Sequence, residues 1–69
     1  MNMIKVKING KDIELKNSSN VAEMLLERNV TGSMFVVEKN MEIVQKENYS
    51  QTPIIENDSF EIVGFFGGG

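Results

Sequence analysis

The sequence contains no cysteine and no histidine among its 69 residues. Without cysteine the chain can form no disulfide, no thiolate metal site and no thiol nucleophile. Without histidine it also lacks the side chain that most often acts as a general base or metal ligand near neutral pH. The function of this chain is therefore expected at its surface or at a terminus, and not in a side-chain catalytic centre.

Length and charge narrow the possibilities further. A chain of 69 residues has room for one hydrophobic core, so a single domain is expected. Seven basic residues against ten acidic ones give a net charge of −3, and the lysines are scattered, which disfavours nucleic-acid binding. The N-terminal residues contain no apolar run long enough for a signal peptide or a membrane span. We expect a soluble cytoplasmic protein with no membrane association.

The clearest local signal is a β-hairpin near the N-terminus. Residues 4–15 alternate between apolar and polar on both sides of Asn9-Gly10, which predicts two strands joined by a two-residue type I′ turn. The pairs expected to face each other are Ile4 and Leu15, Val6 and Ile13, Ile8 and Lys11 on one face, and Lys5 and Glu14, Lys7 and Asp12 on the other.

A short helix is predicted over residues 21–29, where strong helix formers predominate and the apolar positions share one face. Asn20 is expected to be its N-cap, with Glu23 as the reciprocal half of a capping box. Gly32 is expected to close the segment.

Two apolar runs, residues 34–37 and 41–44, predict strands that pair with each other across Asn40-Met41. Methionine tolerates positive φ poorly, so we expect this turn to be longer or of another type than the first one. Residues 47–55 are predicted to be an irregular surface connection with a short helical turn, and Tyr49 is expected to pack over it.

The last strand is predicted over residues 60–66, after a turn at residues 56–58, and it leads into three consecutive glycines. A strip of glycine without Cβ atoms can thread a narrow channel, and it ends in an α-carboxylate that an enzyme could activate as an acyl-adenylate. The alternative is a frayed end or an expression remnant. The glycines alone leave both interpretations open.

Apolar side chains near this tail suggest a docking surface. Phe65 and Phe66 are adjacent in a strand, so at least one is expected to face away from the core. With Val63 and one of two apolar pairs, it could form a patch for partner proteins. The alternative is that the aromatic residues complete the core or cover an edge. The two candidate pairs are Met34 with Val36, and Phe35 with Val37.

The acidic residues do not follow the spacing of a calcium-binding loop, so no metal site is expected. A solvated face or turn chemistry explains them better. The residues concerned are Asp12, Glu14, Glu38, Glu42, Glu56 and Asp58.

The whole chain resembles the ThiS family of β-grasp sulfur carriers. The resemblance is carried by the following segments in their order along the chain: the Asn9-Gly10 hairpin, residues 20–25 at the helix start, residues 35–38, Asn40-x-Glu42-Ile43-Val44, Thr52-Pro53, the acidic turn ending at Asp58, residues 61–63 and the terminal glycines.

This resemblance implies an α+β fold of the ubiquitin-like β-grasp type. Residues 1–66 would form a mixed four- to five-stranded sheet wrapped on one helix, and residues 67–69 a flexible tail. It also implies a protein cosubstrate that is not itself an enzyme and binds no cofactor or metal. Gly69 would carry the reactive carboxylate, and Gly67 and Gly68 would thread the active sites of partner enzymes.

The implied partners are a ThiF-like adenylyltransferase, which uses ATP, a cysteine-derived sulfur donor, and a ThiG-like thiazole synthase. In the family the adenylated carboxylate becomes a thiocarboxylate that supplies sulfur to the thiazole of thiamin. The small subunit of molybdopterin synthase is an alternative with the same chemistry. A ubiquitin-like modifier or an interaction module with an inert tail are alternatives of another class.

Overall fold

The computed structural model describes residues 3–67, with side chains from residue 3 to residue 64. Along the chain come β1 (Ile4–Ile8), β2 (Lys11–Leu15), α1 (Val21–Glu27), β3 (Thr31–Lys39), β4 (Glu42–Val44), a 3-10 helix (Lys46–Gln51) and β5 (Ser59–Gly67). The strands form one sheet in the order β2-β1-β5-β3-β4, in which only β1 and β5 pair in parallel. The predicted mixed sheet with one helix is confirmed.

The first hairpin has the predicted register at all five pairs. Its loop residues Asn9 and Gly10 have φ of 51° and 83°, as a type I′ turn requires. On the outer side of this hairpin, Lys7 Nζ lies 3.1 Å from Asp12 Oδ1. Both side chains are exposed, so this ion pair contributes only about 0.2–1 kcal/mol.

The start of α1 confirms the predicted cap. Asn20 Oδ1 accepts a hydrogen bond of 2.9 Å from the backbone N–H of Glu23. The Glu23 carboxylate does not return to Asn20, and instead accepts bonds from the backbone N–H and the hydroxyl of Ser19. The capping box is therefore displaced by one residue toward the N-terminus.

The expectation that Gly32 closes the helix is wrong. Asn29, the residue after the C-cap Arg28, takes the left-handed conformation, with φ of 61°. The N–H of Asn29 donates to Leu26 O and that of Val30 to Leu25 O, which is the Schellman pattern of helix termination. Asparagine can do this because it tolerates left-handed backbone better than other non-glycine residues.

The link from β2 to α1 is tied by one carboxylate at the end of the helix. Glu27 accepts hydrogen bonds from the Ser18 hydroxyl and from the backbone N–H groups of Lys16 and Asn17. The Ser18 bond, followed by the Lys16 bond, lowers the pKa of Glu27 from its usual value. The ionised carboxylate thus holds this link against the C-terminal end of α1.

The second hairpin differs from its prediction. β3 and β4 pair directly at Lys39 and Glu42, so Asn40 and Met41 form a two-residue loop, with φ of 50° and 74°. The prediction of a longer or different turn is wrong. Met41 occupies the second loop position, which favours glycine.

Contacts outside the hairpin hold this loop in place. The Asn40 amide donates to Asp58 Oδ1 at 3.0 Å and accepts from the backbone N–H of Ser59 at 2.9 Å. The backbone N–H of Asn40 also donates to Ser59 O. These bonds fix the loop against the start of β5 and offset the strain at Met41.

Replacing Met41 with glycine should stabilise the domain by about 0.5–1 kcal/mol, because glycine adopts positive φ without the steric cost of a Cβ. The Met41 side chain is 92% exposed, so its loss removes little packing. Urea unfolding measures the effect, and Met41→Leu, which keeps a Cβ, is the control. Equal unfolding midpoints for the glycine and leucine variants would show that the loop is not strained.

The core lies between α1 and one face of the sheet. Phe60 of β5 is fully buried at its centre, so β5 is anchored before it runs on to Gly67. Among residues 3–64, the buried apolar side chains are Val6, Leu15, Val21, Met24, Leu25, Val30, Val37, Ile54, Phe60 and Ile62. Within residues 3–67, no helix is both long and apolar enough to cross a membrane.

The connection from β4 to β5 has the predicted short helical turn, and Tyr49 packs over it. The Tyr49 ring stacks on Phe35, with 6.4 Å between ring centroids, and burial raises the pKa of Tyr49. In the following turn, Glu56 accepts from the backbone N–H of Lys5 and Asp58 from that of Ile55. These two carboxylates therefore have the predicted turn chemistry.

Candidate functional site

The C-terminal strand passes through the middle of the sheet toward the glycine tail. β5 lies between β1 and β3, and its last residue, Gly67, is opposite Thr31. The strand thus extends one residue beyond the predicted boundary at Phe66. Gly68 and Gly69 lie outside the described residues, so the flexible tail and its reactive carboxylate stay predictions.

A β-bulge lies beside the end of β5, residues 65–67, which we call the root of the tail. Between the pairs Met34–Phe65 and Thr31–Gly67, three residue steps on β3 face two steps on β5. Gly32 lies in this bulge with φ of 94°. This is the role of the glycine that was predicted to end the helix.

Gly64 brings β5 and β3 unusually close just before the tail. Its φ is 129°, and a Cβ placed there would lie 2.8 Å from Phe35 Cα and would also collide with the Met34 carbonyl oxygen. Only glycine fits this approach without moving the backbone. Sequence reasoning missed Gly64, although a glycine inside an apolar strand is a known signal of close backbone contact.

Asn9 anchors β5 from the opposite side. Its amide Nδ2 donates to Ile62 O at 3.1 Å, and its Oδ1 accepts from the Ile62 N–H at 2.8 Å. The Asn9 backbone N–H also donates to Phe60 O. The side chain therefore pairs with β5 as a strand residue would, a role that the sequence indicated only as a turn.

Exposed apolar side chains lie on the face of the sheet that points away from α1. We call Met34, Val36, Ile43 and Val63 the outer strip. They are 47–68% exposed, and Val36 and Val63 face each other directly across β3 and β5. Isolated exposed apolar residues are common, but this group is contiguous across three strands.

The exposure of the β3 side chains decides between the two apolar pairs proposed for docking. Met34 and Val36 are exposed, whereas Val37 is buried and Phe35 packs against the core. Val63 lies on the exposed face as the docking prediction requires. The side chains of Phe65 and Phe66 lie outside the part of the chain that the structure describes, so their share in the patch stays a prediction.

Comparison with known proteins agrees with this arrangement. The ThiS family model matches residues 6–69. The sulfur carrier protein ThiS of Bacillus subtilis is 34% identical over 65 residues, which cover 93% of this chain and 98% of that protein. A thiazole synthase of Paramagnetospirillum magneticum is 39% identical over 66 residues, or 96% of this chain, but the chain spans only 20% of that longer protein.

A solved structure is also similar. The crystal structure of the thiamine biosynthesis protein ThiS from Geobacter metallireducens superposes with a TM-score of 0.79 at 29% identity, and the match covers 96% of this chain and all of that one. The five-stranded mixed sheet wrapped on one helix is thus a ubiquitin-like β-grasp domain. The chain belongs to the ThiS family.

Proposed function

We propose that this chain is a sulfur carrier for thiazole formation in thiamin biosynthesis, acting in the cytoplasm as a protein cosubstrate and not as an enzyme. Membership of the ThiS family supports this, as does the name of the Bacillus relative, a sulfur carrier protein. The observation that carries the proposal is the family match, which extends through Gly69, two residues beyond the end of the central strand β5.

The chemistry would take place at the α-carboxylate of Gly69. A ThiF-like adenylyltransferase would let this carboxylate attack the α-phosphate of ATP, which releases pyrophosphate and forms an acyl-adenylate. Hydrosulfide, supplied by the cysteine-derived sulfur donor, would then attack the acyl carbon. The bond from this carbon to AMP breaks, and a thiocarboxylate is left. Gly67 and Gly68 would allow the terminus to enter the enzyme, because they present no Cβ.

Transfer to a thiazole synthase would return the carrier to its carboxylate form. The Paramagnetospirillum relative supports this partner, since it is named a thiazole synthase and contains a segment similar to this chain. A carrier and a synthase within one chain meet at a high effective concentration. A separate carrier must instead bind its enzyme through its surface.

The outer strip, together with Phe65 and Phe66, is the proposed docking surface for these enzymes. A contiguous exposed apolar patch is typical of protein interaction sites. Its position beside β5 supports the assignment, because an enzyme bound there would lie next to the root of the tail. Val63, which belongs to β5 itself, links the two.

The proposal is tested by incubating the purified chain with adenylyltransferase, ATP and a sulfur donor, followed by intact-mass analysis. We expect the mass increase from exchanging one oxygen for sulfur, no change without ATP, and return to the original mass after reaction with thiazole synthase. No increase with an enzyme that is active on its own carrier would contradict the proposal.

Growth tests separate the related functions. Expression should rescue a thiamin auxotroph that lacks its own carrier but not a molybdenum-cofactor mutant. Rescue of only the latter would assign the chain to molybdopterin synthesis. A ladder of covalent conjugates on other proteins would instead indicate a modifier.

A further inference from the structure

Two glutamates face each other next to the outer strip. Glu38 of β3 and Glu61 of β5 are directly opposite in the antiparallel ladder, on the face that points away from α1. Like charges in this position repel, because directly opposed residues are close neighbours. Within residues 3–64, neither carboxylate has a cation within 4.0 Å, since the ion pairs there join Lys7 to Asp12 and Lys39 to Asp58.

The surrounding sheet does not compensate for this pair. On the β1 side, Lys7 lies beside Ser59 and is therefore diagonal to Glu61 on the same face, but its Nζ pairs with Asp12. The side chain of the next turn residue, Asn9, binds the backbone of Ile62. On the β4 side, Glu38 faces Ile43 of the outer strip. The free domain therefore carries an uncompensated acidic pair at one end of an exposed apolar patch.

The pair and the strip form one continuous surface. Glu38 follows Val36 by two residues and Glu61 precedes Val63 by two, so all four side chains are on the same face. Apolar centres with charged margins are typical of protein interfaces. A cation placed over the two carboxylates would gain both attractions and relieve their mutual repulsion.

We propose that this face binds a protein surface that has an apolar centre and a basic margin, with an arginine or lysine placed over Glu38 and Glu61. This inference rests on the proposed function, and the occupant is the adenylyltransferase that activates the tail. Arginine suits the position best, because its planar guanidinium can bond two carboxylates at once. The net charge of −3 favours such a partner at long range as well.

Neutralising either glutamate separates binding from stability. At about 50 mM salt, Glu38→Gln and Glu61→Gln should each weaken binding to the adenylyltransferase by roughly 3–10-fold, mainly through slower association. The loss should vanish near about 0.5 M salt, where charges are screened. The thermal midpoint of each variant should be unchanged or higher, because the repulsion has been removed. Titration by surface plasmon resonance and thermal unfolding measure the two effects.

Glu14→Gln is the matched control. Glu14 lies on the same face of the sheet, but it belongs to the edge strand β2 and is opposite Lys5. Its variant should therefore bind like the parent at every salt concentration. Equal affinities of parent, Glu38→Gln and Glu61→Gln at low salt would overturn the inference. A loss that persists at high salt together with a lower thermal midpoint would assign the pair a structural role and overturn it too.

The outcome is distinguishable from failure of the proposed function. If the parent binds the enzyme and acquires sulfur while the glutamate variants behave identically, only the present inference fails. If the parent acquires no sulfur with an active enzyme, the carrier function fails whatever the salt dependence of binding.

Discussion

A chain that lacks Gly69 should remain folded but acquire almost no sulfur from adenylyltransferase, ATP and a sulfur donor. Deletion of one residue withdraws the terminal carboxylate by up to about 3.5 Å. Since a misplacement of about 1 Å can cost a factor of about 100 in rate, the rate of thiocarboxylate formation should fall by at least about 100-fold. Intact-mass analysis over time measures that rate.

The deletion changes only how far the terminal carboxylate extends from the domain, because the shortened chain still ends in a glycine carboxylate. Within residues 3–64 the buried core runs from Val6 to Ile62, well before Gly69 in the chain, so the unfolding midpoint should not change. Gly69→Ala serves as the control, since it keeps the length and adds only a methyl group, and its loss of rate should be smaller. Sulfur acceptance at the parental rate by the folded deletion variant would refute the role of Gly69.

Local sequence signals predicted the parts of the fold that local interactions determine. The first hairpin is the clearest case, because alternation on both sides of Asn9-Gly10 fixes the turn and every opposed pair. The N-cap at Asn20 follows from a contact within four residues. Neither depends on the rest of the chain.

The incorrect predictions concern positions that distant residues or alternative local motifs decide. Asn40 and Met41 form a tight turn because Asp58 and Ser59, far along the chain, hold the Asn40 amide. The helix ends at Glu27, and the backbone N–H groups of Asn29 and Val30 satisfy its last carbonyls in a Schellman motif. A glycine such as Gly32 fits a helix end and a bulge equally well, and composition cannot choose between them.

The sequence predicted where along the chain the candidate docking surface lies, but not which side chains of β3 belong to it. Residues 34–37 are apolar at every position, so periodicity could not tell Val36 from Val37. Pairing with β5 decides, by placing Val36 opposite Val63 on the exposed face. The acidic pair next to the strip likewise exists only through the register between two distant strands.

Replacing Gly64 with alanine should have the largest effect on stability, lowering the free energy of unfolding by about 3 kcal/mol. Positive φ costs an L-residue roughly 1–2 kcal/mol, and forcing a methyl group against neighbouring backbone adds about 1–3 kcal/mol. The obstructing atoms belong to the β3 backbone at Met34 and Phe35, which cannot move aside without separating the two strands. Urea unfolding of the two proteins measures the difference.

Gly32→Ala is the matched control, because Gly32 also has positive φ, 94°, but has no atom within 4 Å of the added Cβ. It should cost only about 1 kcal/mol, so the difference between the variants isolates the close approach of β3 and β5. Equal losses would show that φ alone matters at Gly64. The added methyl group at Gly64 pushes β3 and β5 apart next to the tail. A Gly64→Ala variant that still folds should therefore also acquire sulfur more slowly than the Gly32→Ala variant.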